Sequence, residues 1–123
     1  MSLAAELKVE LEKLASEQGV EISAVITRSG APIAWNLPAG TTAETVATLS
    51  ATIFGASEVI FTGGGWNKPV KISVETGSEG CMVTRSLGRK AILVLMSKKM
   101  DAAQLDKKAT EAEIKIREMM QNE

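Results

Sequence analysis

Leu3, Leu7, Leu11 and Leu14 recur at helical spacing, and Glu6, Lys8, Glu12 and Lys13 fill positions between them. This predicts an amphipathic helix with one packed and one solvated face, capped by Ser2 and stopped by Gly19. The period then shortens to two. Ile22, Ala24 and Ile26 alternate with Ser23, Val25 and Thr27, Arg28-Ser29-Gly30 turns the chain, and Ala31 through Leu37 returns as a second strand. Pro32 lacks an N–H donor, which suits a strand at a sheet edge. Pro38-Ala39-Gly40 ends the hairpin.

Thr41 followed by Glu44 reads as a capping box, with the hydroxyl and the carboxylate each meeting a backbone N–H of the first turn. A second helix is predicted from there to Thr62, ended by Gly63-Gly64-Gly65. Val70, Ile72 and Val74 then alternate with Lys71, Ser73 and Glu75, and Gly77-Ser78-Glu79-Gly80 leads into a strand from Cys81 to Leu87. Ala91 through Met96 is apolar on both alternating faces, as a central, doubly covered strand requires. Asp101 with Gln104 opens a last helix whose stripe is Leu105, Ala109, Ala112, Ile116 and Met119. The order is αββαβββα. The fold class is α+β, a five-stranded antiparallel sheet sandwiched by helices, with residues 1–123 as a single domain and no internal repeat or linker.

The second helix carries more apolar surface than one packed face needs. On a helical wheel Val46, Leu49, Ile53, Ala56 and Ile60 form a stripe assigned to the chain's own sheet. Ala43, Ala47, Ser50, Ala51, Phe54 and Phe61 form a second stripe about 120° away by ideal helix geometry. Only Glu44 and Glu58 are charged. A helix wetted on one side would carry more lysines and glutamates, so the second stripe is expected to form a subunit interface, with the alanines admitting close approach. The strand with Val70, Ile72 and Val74 is expected to join that interface by pairing with its symmetry mate, which would remove an exposed edge.

Composition narrows the function. Fourteen basic and fifteen acidic residues give a net charge of -1, so no global positive field draws nucleic acid. There is no histidine, which removes the usual general base at neutral pH and the commonest nitrogen ligand for metals. Cys81, the single cysteine, has no partner for an intramolecular disulfide; it suits a reducing cytoplasm and burial as a small apolar side chain. The charged leading helix does not fit a signal peptide, and uninterrupted apolar runs stop short of the ~20 residues that span a bilayer, so membrane insertion is not expected.

No carboxylate pair or metal-ligand cluster stands out, and neither catalytic residues nor a cofactor is expected. The triple glycine follows a helix and precedes a strand, the reverse of the order that aims N–H groups at phosphate, and reads as a connector. Trp66 has two readings, a loop-borne anchor for a partner or a ring folded over the edge of the core. Arg85 and Arg89 are candidate contacts to a partner's carboxylate or phosphate, set against the plainer reading of solvated charges at a strand end.

From Leu3 to about Met120 the chain resembles the roadblock/dynein light chain family. The resemblance rests on the leading helix, the hairpin Glu21 to Leu37 with Ser29-Gly30 at its turn, the alanine-rich helix Thr42 to Phe61, and the strands Val70–Thr76, Gly80–Leu87 and Ala91–Met96. It implies a profilin-like layering. It also implies a homodimer, or a heterodimer with a paralogue, in which second helices and middle strands join two sheets into one. Ala47, Ala51, Phe54, Val70 and Ile72 would lie at or near that joint. The implied function is non-enzymatic: regulation or scaffolding of a small Ras-like GTPase, with a dynein-type adaptor or a small-molecule sensor as the alternative. A sensor needs a pocket with convergent polar groups, and no such cluster surrounds the apolar strands.

Overall fold

The computed structural model describes residues 1–121. Helix α1 covers Leu3–Gln18, strand β1 Ile22–Thr27, β2 Pro32–Asn36, α2 Ala43–Gly63, β3 Lys71–Glu75, β4 Cys81–Ser86, β5 Ala91–Ser97 and α3 Ala102–Gln121. The strands form one sheet in the order β2-β1-β5-β4-β3, every neighbouring pair antiparallel. Class and element order agree with the αββαβββα reading. β5 is central, its residues 91–95 all buried, and β2 with Pro32 at its start is an edge.

The helices make two layers. Leu7, Leu11 and Leu14 of α1 and Leu105, Ala109, Ala112 and Ile116 of α3 pack with Val25, Val83, Leu93 and Leu95 on one face of the sheet. Ala47, Ala51 and Phe54 of α2 pack with Ala24, Ile26, Ile92 and Val94 on the other. Alternation along each strand produces this division, since adjacent side chains point to opposite faces.

Caps follow local chemistry. The Ala5 N–H donates to Ser2 Oγ at 3.2 Å, and Gly19 takes the left-handed conformation that ends α1. At α3, Gln104 N–H donates to Asp101 Oδ1 at 2.8 Å while Asp101 N–H donates to Gln104 Oε1 at 3.0 Å. At α2 the expected box is displaced by one residue. Thr42, not Thr41, is the N-cap and accepts from Thr45 N–H at 3.3 Å, so Glu44 falls too early to close a reciprocal bond.

Candidate functional site

The two stripes of α2 exchange roles, except that Val46 packs at the margin of the core as expected. Ala43, Ala47, Ser50, Ala51 and Phe54 are buried by their own chain, with Ala47 and Phe54 fully enclosed, so they are not available as a subunit interface. Their size explains the correction. Alanines let the helix lie close to the β1–β2 turn, where a Cβ on Gly30 would stand 3.2 Å from Thr48 Cα and 3.7 Å from Ala51 Cβ. Phe54 is the one large knob, and it fills the space over Ile26 and Ile92. Bulkier side chains point away from the sheet: Leu49 is 57% exposed, Ile53 39% and Ile60 71%. Phe61, grouped in sequence with the buried stripe, is exposed.

Strand β3 continues this apolar surface. Among the described residues it pairs only with β4, and its other edge is open. Val70 and Val74 are exposed, whereas Ile72 is half-buried beside Val46 and Met82 at the margin of the α2 core. Because α2 lies over β1 and β2, the β4–β3 side of this face is left less covered. At its end a groove of about 690 Å³ is floored by Ile22, Met96, Met82 and Val74.

By length and composition α2 could cross a membrane, which a count of uninterrupted apolar runs does not register. Its inner face is nevertheless packed on the sheet, and an ion pair ties down its single late charge. Arg28 Nη1 donates to Glu58 at 2.8 Å, its Nη2 to Ser86 Oγ at 2.6 Å and its Nε to the Gly88 carbonyl at 3.0 Å, and its guanidinium lies 5.4 Å from the centre of the Phe54 ring. One arginine thus joins the β1–β2 turn, α2 and the β4–β5 turn. Residue spacing marks Arg28 only as part of a turn. The available signal is Glu58, a lone acid late in an otherwise apolar helix.

The candidate contact Arg85 is occupied. Its Nη1 donates to Asp106 at 2.8 Å and its Nε to Glu113 at 2.6 Å, while Lys71 reaches Asp106 at 2.8 Å and Arg117 reaches Glu113 at 2.8 Å. Arg85 shares the strand face of Val83, so its side chain must lie under α3 and not extend to a partner. Burial raises the pKa of Asp106 and Glu113, but hydrogen bonds and charges from Lys71, Arg85 and Arg117 outweigh it and hold both carboxyls below their ordinary values. Burial likewise works against the charged guanidinium of Arg85, and the two acids more than compensate.

Arg89 is exposed at the β4–β5 turn, and Trp66 is 70% exposed after α2. The Trp66 ring meets Phe61 edge-on, with centroids 6.2 Å apart, and does not fold over the core. Cys81 is buried and donates to the Met100 carbonyl at 3.1 Å. Burial, with Glu75, Asp101 and Glu21 nearby, pushes its thiol upward and away from reactivity. Exposed apolar side chains on a helix beside an open strand edge are suited to binding another protein surface.

In fold the chain is similar to an MglB described with a tetrameric arrangement, at a TM-score of 0.86 and 17% identity over 99% of this chain and 93% of that one. The gliding protein MglB of Thermus thermophilus gives a TM-score of 0.84 at 16% identity, covering 100% and 94%. Profilin IB of Acanthamoeba castellanii shares the layering at 0.64 and 18%, covering 90% and 96%. No curated protein matches the sequence significantly. The model of the Roadblock/LC7 domain matches residues 7–97, from the buried face of α1 through the last strand. The chain therefore belongs to the Roadblock/LC7 domain family.

Proposed function

We propose that this protein is a non-enzymatic, cytoplasmic dimer that binds a small Ras-like GTPase and biases its nucleotide state or location. One observation carries the reading: the outer stripe of α2, Leu49, Ile53 and Ile60, lies exposed on the same side of the molecule as the edge strand β3, whose outer edge is open among the described residues, with Val70 and Val74. A second copy, or a paralogue with the same two elements, would satisfy both at once. Helices would pack through the outer stripe, and antiparallel pairing of β3 would extend the sheet.

Membership of the family supports the GTPase as the further partner. A rigid dimer needs no catalytic group to act on a switch protein. It shifts the switch by binding one nucleotide-dependent conformation more tightly than the other. Arg89 remains solvent-exposed as a contact for such a partner, while Arg85 is committed to α3.

Light scattering at micromolar concentration should give twice the mass of one chain. Beads carrying the protein should retain a Ras-like GTPase from extract in one nucleotide state and release it in the other. The mass of a single chain, with no nucleotide-dependent GTPase on the beads, would refute the proposal.

A further inference from the structure

One chain leaves two apolar features unsatisfied, one at each end of β3. At the first end stands Trp66. Its backbone N–H donates to the Phe61 carbonyl at 2.8 Å, and Gly65, with φ 81°, closes the turn beneath it. A Cβ on Gly64 would lie 3.1 Å from the indole Cδ1. The ring thus lies against Gly64 and Phe61 on a hydrogen-bonded turn, with most of its surface exposed.

At the other end of β3 lies the groove of about 690 Å³. Register explains its floor: Ile22 is opposite Met96, Met96 opposite Met82, and Met82 opposite Val74, one row across β1, β5, β4 and β3. Pro38 and Ala39 of the β2–α2 connection border it. The row lies on the α2 face of the sheet, because the Ala24, Val94 and Ile72 row beside it packs with α2.

The five residues of β3 put roughly 17 Å between these ends, so Trp66 does not reach the groove of its own chain. Antiparallel pairing of two β3 strands reverses the ends. A two-fold axis normal to the sheet then carries the Trp66 end of one chain to the Val74–Gly80 end of the other, where the groove lies, and keeps α2 of both on one face.

We propose that Trp66 of each chain seats in the groove of a second copy, so that this apolar site is completed only in the dimer. The inference rests on the self-association reading above. Met82 and Met96 suit an aromatic guest, since their flexible thioethers adapt to a ring. Glu79 at the rim offers an acceptor for the indole N–H. Symmetry makes two equal seats and leaves neither tryptophan over.

Trp35→Phe leaves Trp66 as the only indole, because the chain has two tryptophans. Its emission and its quenching by acrylamide are followed against protein concentration, with mass measured on the same samples. As mass doubles, emission should move to shorter wavelength and quenching should fall. Ala39→Glu, outside every strand, and Met82→Asp should each abolish the shift, and Trp66→Ala should weaken association about tenfold or more. Doubled mass with Trp66 still freely quenched overturns this inference and leaves the dimer standing. A single-chain mass at every concentration overturns both. A shift that appears only on adding phosphatidylcholine vesicles assigns Trp66 to a lipid surface and overturns the seat.

Discussion

Ile53 and Phe54 are adjacent on α2, yet Phe54 is sealed against the sheet and Ile53 faces solvent. Removing the Phe54 ring should leave a cavity over Ile26 and Ile92, so Phe54→Ala should lose about 3–5 kcal/mol in urea unfolding. Ile53→Asp should lose only the part of the urea midpoint that depends on protein concentration, matching the wild type diluted until it dissociates, while light scattering reports a single-chain mass. The contrast separates folding from association, because only one of the two side chains is needed by its own molecule. Gly30 is constrained differently. It combines φ 96° with a close approach to Thr48, so Gly30→Ala should destabilise by about 1–3 kcal/mol in the same assay.

Helix α3 is joined to the sheet by a core stripe and by charge. Asp106 and Glu113 are held below their ordinary values of 3.8 and 4.5, so each binds protons less readily folded than unfolded. Their contribution is fully present above the ordinary carboxylate range. It is lost as pH falls through that range and then through the lowered folded values. Unfolding midpoints measured from pH 6 down to pH 2 should therefore fall on the acid side, and Arg85→Gln should flatten that fall while lowering stability at pH 6. The stripe of this helix and its Asp101–Gln104 cap were legible from residue spacing, since both are set by helical geometry alone. The partners of Arg85 were not. Asp106 and Glu113 are 21 and 28 positions away, and pairing β4 beneath α3 is what brings them within reach.

At the scale of the molecule, uncovered area falls on one side. The α1 and α3 layer closes its face of the sheet, whereas α2 covers its own face only in part and leaves β3 open at the edge. If association covers this area, stability depends on protein concentration, because a partner that binds only the folded chain stabilises by mass action. The thermal midpoint should rise with concentration for the wild type and be constant for Ile53→Asp. A midpoint independent of concentration in both would mean that the exposed stripe contributes nothing to association.

Periodicity along the chain determined the number, type and order of the elements, the central place of β5 and the presence of two apolar stripes on α2. These follow from local geometry, which fixes where side chains point on a helix or a strand. Only the tertiary structure decided which stripe faces inward, because hydrophobicity favours burial without choosing a surface. Steric fit made the choice. A helix settling beside the turn at Gly30 packs its alanines and one phenylalanine, and the bulkier Leu49, Ile53 and Ile60 are left outside. The same holds for Arg28 and Arg85, whose partners are distant in sequence and are brought together by the order of strands in the sheet.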